Sequence, residues 1–252
     1  YAALKIHKEW SVGTGNLFSY KITPAREHDS PHLVVDAARS GSGIIADLAY
    51  VSLRRLDDCE RHDVRYVVRL KENWKPTIDR LVRGTGFPAM AKGQDFDSLL
   101  EDDVIIRDGN PIDADVTLGR GALRVKSRMV GLSTPKGYCF FLTNLPRSTH
   151  RPTDVGDIYR VRWEIEIDNK VDKAGARLDE IEARKPVSVR ILLLASMLNA
   201  TLAKAIIQSE SVAIVAEKKA PADPAGRGPL HPISLIRLMA SAQPTVIRLL
   251  LS

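Results

Sequence analysis

The chain has 252 residues, of which 44% are apolar and 27% charged. That length suits one large domain or two small ones, and the composition excludes collagen, low-complexity disorder and a disulfide scaffold. The 37 Lys and Arg outnumber the 31 Asp and Glu for a net charge of +6, a modest excess that suits a polyanionic partner without demanding one. Aromatics, at 6%, are too few for a broad base-stacking surface.

In chain order, Lys5 to Val12 alternates as a half-exposed strand should. The turn cluster Gly13-Thr14-Gly15-Asn16 precedes a second strand from Leu17 to Thr23, so residues 3–24 read as a hairpin. Ser30-Pro31 predicts an N-cap with proline at the first helical position, and a helix over residues 31–39. Gly43-Ile44-Ile45-Ala46 and Val64-Arg65-Tyr66-Val67-Val68-Arg69-Leu70 read as strands buried on both faces. Between them Ser52 caps a charged helix that ends near Glu60. This order predicts an α/β sheet whose last two strands run parallel.

From 76 to 146 the texture changes to short strand-like segments separated by turns: 104–106, 116–118, 122–132 and 138–142. An antiparallel β-rich module is expected there. A long charged helix follows over 154–178, and a helix apolar on most faces over 187–208. Pro221, Pro224, Gly226, Gly228, Pro229 and Pro232 mark a linker, and a last amphipathic helix is expected over 233–251. The domains are therefore 1–75, 76–146, 147–210 and 211–252.

The stretch 191–207 is the most apolar, but Asn199 and Lys204 interrupt it and it falls short of the ~20 residues that span a bilayer. Cys59 and Cys139 stand far apart and read as free thiols. Nothing at the N-terminus reads as a signal peptide, so a soluble cytoplasmic protein without a membrane partner is expected. The chain opens at Tyr1 inside a strand-like stretch, which points to an upstream piece.

Two places could carry chemistry. Asp47 ends the strand Gly43 to Ala46, where α/β sheets present ligand groups. Taken alone, it reads as readily as a turn aspartate capping the next segment. Tyr159, Arg162, Glu166 and Lys173 are spaced to lie along one stripe of a helix, flanked by Trp163 and Ile167 as anchors. Taken alone, that stripe reads as a solvated face with intrahelical ion pairs.

The pattern Tyr159-x-x-Arg162-x-x-x-Glu166, with Lys173 seven residues on, resembles the signature of bacterial insertion-sequence transposases of the DDE type, in the insertion sequence four family. Ile44-Ile45-Ala46-Asp47-Leu48-Ala49-Tyr50 resembles the segment around that family's second aspartate. Ala3 to His7, His28-Asp29 and Val68-Arg69-Leu70-Lys71 are weaker matches in the expected order, and the resemblance covers roughly residues 1–208.

The resemblance implies an RNase H-like catalytic core in which two aspartates and a glutamate bind two divalent ions. It also implies a β-rich insertion between the second aspartate and the glutamate, and 76–146 fits that place. Asp47 and Glu166 are then the catalytic metal ligands. The ions are Mg²⁺, with Mn²⁺ as a substitute, since hard oxygen ligands suit them. Tyr159, Arg162 and Lys173 contact DNA phosphate, and Arg69, Lys71 and Trp74 approach the DNA. For Trp74 the competing expectation is an aromatic packed under the β module. The partner is double-stranded DNA, transposon ends and target, bound by a homodimer.

One element of the family pattern has no counterpart. Its first aspartate sits on the first strand of the core, before the segment that aligns with Tyr1, while Asp29 and Asp36 come too late, after the hairpin. The core is therefore expected without its first, central strand. A rival expectation is a catalytically inactive DNA-binding remnant, and the isolated 252-residue chain is expected not to cleave DNA.

Overall fold

The computed structural model describes residues 4–12, 16–83, 85–86, 105–106, 109–163, 165–166, 170, 187–195, 198 and 201–202. The expected linker, the expected helix over 233–251 and Lys173 lie outside the described residues. The chain divides into two compact units, Tyr1–Arg162 and Trp163–Ser252.

The first unit opens with the expected hairpin. Strand β1 (Leu4–Ser11) pairs antiparallel with β2 (Asn16–Pro24), from Leu4↔Pro24 to Ser11↔Asn16, with a bulge after Glu9. The helix expected over 31–39 is instead two single 3₁₀ turns, Ser30–His32 and Ala37–Arg39. Two local causes are visible. Val34 and Val35 are β-branched and disfavour helix, and the Asp36 carboxylate accepts from the Ala38 backbone N–H at 3.1 Å, restarting the turn at its own position. The cap also differs from expectation: Asp29 stands at N-cap, with Pro31 still in the first turn.

The core of the unit is a mixed six-stranded sheet in an α/β fold. Its order is β3 (Gly43–Ala46), β4 (Arg65–Arg69), β10 (Gly137–Thr143), β9 (Val125–Thr134), β8 (Ile112–Leu118) and β5 (Thr77–Arg83). β3 and β4 are parallel, in the register Gly43↔Arg65 to Ala46↔Val68, and every other neighbouring pair is antiparallel. Helix α1 (Leu53–Arg61) makes the crossover between them. Ser52 caps it, its hydroxyl accepting from the Arg55 N–H at 3.3 Å. The strands of the β-rich stretch thus extend the β3–β4 sheet through the β4–β10 pairing. A two-residue ladder joins β6 (Thr85–Gly86) to β7 (Ile105–Ile106).

Strand β5 is the element the residue pattern conceals. Asp79, Arg80 and Arg83 dilute its apolar positions, and bulges after Ile78 and Leu81 break the period of two. Charge on a strand at the sheet's end is how natural sheets guard an edge.

Both faces of the sheet are covered. In β4, Tyr66, Val67 and Val68 are successive and all buried, as a strand lying between two layers must be. On one face α1 lays Leu56 and Cys59 against a core that includes Tyr66, Val68, Ile112, Val116, Met129 and Leu142. On the other face, helix α2 (Pro152–Arg160) packs Val155, Ile158 and Tyr159 against Val67, Val130, Leu132 and Phe141. Gly156 lets α2 approach closely, since a Cβ there would stand 2.4 Å from Leu132 Cδ1.

α2 begins two residues before the expected start, because Pro152 takes its first position and the Asp154 carboxylate accepts from the Arg151 N–H at 2.8 Å. It ends at Arg160. Val161 is a turn, and helix resumes at Arg162–Trp163. The single helix expected to carry Tyr159 through Glu166 is therefore interrupted between them.

In the second unit, residues 165–166, 170, 187–195, 198 and 201–202 are helical. Trp163, expected to anchor, is 52% exposed with the Lys170 ammonium 5.7 Å from its ring centroid. Among the described residues no helix is long and apolar enough to cross a membrane.

Candidate functional site

Asp47 owes its place to the β3–β4 pair. Ala46 pairs with Val68, so the parallel register carries Asp47 and Arg69 out side by side at the carboxyl ends of two neighbouring strands, which lie about 4.8 Å apart in any sheet. The chain then turns at once: the Tyr50 N–H donates to the Asp47 carbonyl at 3.0 Å. The Asp47 side chain is 58% exposed, so its carboxylate faces solvent.

α2 brings the other groups. Its far end places Tyr159 over Phe141, ring centroids 5.0 Å apart. One turn on, Arg162 folds back so that its guanidinium lies 5.5 Å from the Tyr159 ring centroid and its Nη1 3.8 Å from Asp47 Oδ2. The Arg162 side chain is only 18% exposed, so a cation is held largely out of solvent beside an open carboxylate. Burial pushes the Tyr159 phenol up from its usual range, and Asp47 adds to that while Arg162 and Arg69 oppose it. The phenol therefore stays protonated and can donate to an anionic oxygen.

Beneath Asp47 a second polar cluster ties its turn to the hairpin. His7 Nδ1 and the Tyr50 hydroxyl are 2.8 Å apart, and His7 Nε2 and the Thr23 hydroxyl 2.9 Å. The His32 ring lies against His7 at 4.2 Å between centroids. Lys5 pairs with Asp29 at 2.7 Å. Burial, with help from Asp29 and Asp47, raises the Tyr50 phenol to about 12. Burial and the neighbouring His32 lower His7. Pattern reading singled out none of these as a group, because hairpin, 3₁₀ turn and strand end meet only in the fold. The hints in the chain were separate: Ala3 to His7, His28-Asp29 and the segment Ile44 to Tyr50 each matched the family pattern.

The other expected residues fall as follows. Arg69 is exposed at the end of β4, and its charge is felt at Tyr159 and Cys139. Lys71 stands 5.5 Å over the Trp74 ring, and Trp74 itself is half-buried against the main core, in line with the packed aromatic. Glu166 is helical and half-buried within the second unit. The structure thus gathers Asp47, Arg69, Tyr159 and Arg162 at one place in the first unit.

Chemically this place offers one open carboxylate, hard in the sense that suits Mg²⁺ or Mn²⁺, with cations and a phenol around it that suit a phosphate. Asp47 fits the part of one metal ligand by its exposure and donor type. Among the described residues, no group of three His, Cys, Asp or Glu could hold a metal ion.

Residues 1–202 match the family described as "Transposase DDE domain". Over 87 residues, 34% of this chain, it is 36% identical to the transposase for insertion sequence element IS421 of Escherichia coli, and equally to the InsL protein of insertion sequence element IS186A of E. coli strain K12. Over 74 residues, 29% of this chain, it is 32% identical to the transposase for insertion sequence element IS231F of Bacillus thuringiensis subsp. israelensis. The matched stretch spans 24% of the length of the first two relatives and 16% of the third.

Proposed function

The chain belongs to the transposase DDE domain family, and on that premise we propose that it is core sequence of an insertion-sequence transposase, a metal-dependent enzyme that cuts DNA at transposon ends and joins them to a target. The observation that carries this reading is the meeting of Asp47 with Arg162 and Tyr159 at the carboxyl end of a parallel strand pair. The insertion sequence four branch rests on the signature Tyr159, Arg162, Glu166 and Lys173. The relatives named above are transposases of bacterial insertion sequences, which supports the insertion-sequence reading.

In this reading the sheet of β3 and β4 with α2 is an RNase H-like core. Residues 1–75 and 147–210 are its two parts, 76–146 the β-rich insertion, and 211–252 a linker with a terminal helix. Among the described residues β3 pairs only with β4. A further strand carrying the family's first aspartate would pair with its other edge. Asp47 and Glu166, with that aspartate, would hold two divalent ions, Mg²⁺ or Mn²⁺, which when bound activate a water and stabilise the leaving 3′ oxygen.

The chain's own groups do the rest. Arg162, with its guanidinium held beside Asp47, accepts a backbone phosphate and offsets charge that grows at phosphorus. The protonated Tyr159 hydroxyl donates to a phosphate oxygen. Arg69 and Lys71 extend the cationic track, Trp74 supports Lys71 from its place against the core, and Lys173 contacts phosphate by its place in the family signature. Such contacts position the DNA and do not read its sequence. The partner is double-stranded DNA, the working form a homodimer on paired ends, and the compartment the cytoplasm.

The test has two arms. Duplex binding by the 252-residue chain, followed by fluorescence anisotropy across a salt series, should show a steep slope of log K against log salt. Arg162→Ala should shrink that slope by about one. In the full-length protein, Mg²⁺-dependent nicking of a duplex carrying the element's ends should vanish in Asp47→Asn and in Glu166→Gln. Nicking that survives both substitutions would sink the assignment.

A further inference from the structure

The strongest group of charges outside the site lies on the sheet face beneath the approach to α2. Asp113 on β8 and Arg128 on β9 are 3% and 5% exposed. All three nitrogens of the Arg128 guanidinium are hydrogen-bonded. Its Nη2 donates to Asp113 Oδ2 at 2.7 Å, and its Nε to the same carboxylate at 3.1 and 3.2 Å. Its Nη1 donates to the carbonyls of Leu145 and His150 at 3.3 and 2.9 Å. Those two carbonyls bracket the connection from β10 to α2. Arg147, inside the connection, reaches back to Asp113 at 2.8 Å and to Asp115 at 2.6 Å, and Arg80 on β5 completes the chain of charges at Asp115.

We propose that Arg128 is a positioning residue for the Asp47 site: by holding the Leu145 and His150 carbonyls it sets where α2 begins, and so where Tyr159 and Arg162 stand at its other end. The proposal rests on the reading of Asp47 and Arg162 as the DNA site. Arg128 itself touches nothing there and acts through the helix. At the start of the connection Asn144 accepts from the Tyr66 N–H and donates to the Val64 carbonyl, each at 2.9 Å, and Arg147 ties its middle to Asp113 and Asp115. Pro146 accepts from Thr149 and His150, which closes a local turn only, and Arg151 and Asp154 bond to each other across the start of α2. Among the described residues, Arg128 alone bonds carbonyls near both ends of this connection. A lysine cannot substitute, since one ammonium cannot fork a carboxylate and span two carbonyls together.

Hydrogen exchange on the 252-residue chain tests this. In Arg128→Lys the amides of Asp154 and Val155 and the rest of α2 should exchange at least about tenfold faster, the scale of one or two lost hydrogen bonds. The amides of Val67 and Leu142 should change far less. Arg80→Ala, on the same chain of charges but away from the connection, should leave α2 as it was. Uniform acceleration across sheet and helix, or an unchanged α2 in Arg128→Lys, overturns the proposal. Should Arg128→Lys not fold, Asp113→Asn loosens the same fork at constant volume and should move α2 in the same direction; an unmoved α2 there also overturns it.

Duplex DNA binding supplies the readout that a purely stabilising residue would not move. Arg128→Lys should weaken binding, and it should weaken it less in an Arg162→Ala background than in the wild type, since only the Tyr159 contact is then left to displace. Additive losses overturn the coupling. A wild-type chain that binds no duplex DNA removes the functional reading, and the exchange experiment still decides the positioning.

Discussion

Two carboxylate–arginine meetings in this molecule are built from the same chemistry and do opposite things. Asp113 and Arg128 are both 5% exposed at the side chain and 2.7 Å apart, and all three nitrogens of the guanidinium are hydrogen-bonded. Asp47 and Arg162 meet at 3.8 Å with the carboxylate 58% exposed. The first pair is closed to solvent, and its desolvation is offset by the forked contact to Asp113 and the two carbonyls. The second keeps its carboxylate open to solvent while the cation is held in place by the Tyr159 ring. A closed ion pair fixes structure; an open one can exchange its partner for a phosphate or a metal.

Substitutions should separate the two. The largest effect is expected at Asp113. Asp113→Ala strands Arg128 in the interior and takes one of the two acceptors from Arg147, so it should cost about 3–5 kcal/mol of stability, read as a lowered urea midpoint with an unchanged slope. A cost under about 1 kcal/mol would mean that the closed pair is not the fastening described.

Acid should attack the same region next. Burial opposes ionisation of Asp115, but its bonds to Arg147 and Arg80 outweigh that and lower the carboxyl below its ordinary value of 3.8. A depressed carboxyl contributes stability above the unfolded value and loses it as pH falls through the folded one. Asp115→Asn should therefore flatten the loss of stability below about pH 4.

A smaller pH effect belongs to the hairpin. His7 is lowered from 6.5 by burial and by His32, so the folded state binds fewer protons than the unfolded. Its contribution is present above pH 6.5 and declines as pH falls below that value. His7→Gln should remove this part of the slope; a slope unchanged near pH 6 would assign it elsewhere.

The smallest effect on stability is expected at the open pair. Asp47→Asn should shift the thermal midpoint by no more than about 0.5 kcal/mol implies, although the same substitution abolishes nicking under the proposed function. A large loss of stability at Asp47 would erase the contrast with Asp113.

The chain itself determined the parts whose signals are local. Ser52 before a charged helix, the Gly43–Ala46 and Val64–Leu70 runs, and the hairpin around Gly13–Asn16 each carry their own cap, period or turn, and each formed near its expected bounds. Asp47 and the Tyr159–Arg162 spacing stood out through the family resemblance, since each by itself read as readily as a turn aspartate or a solvated helix face. Tertiary structure decided what depends on partners far along the chain. β5 is a strand because β8 offers it a ladder, despite its charges. The expected 31–39 helix gave way to two turns, one of them tied to the hairpin by Arg39 and Glu9 at 2.6 Å. Arg128, one more charged residue in the sequence, is the buried hub of the α2 approach only because β8, β9 and the 145–150 connection converge on it. Periodicity reports which face a residue takes within its own element; which buried charge finds its counter-charge is settled when distant strands pair and exclude water between them.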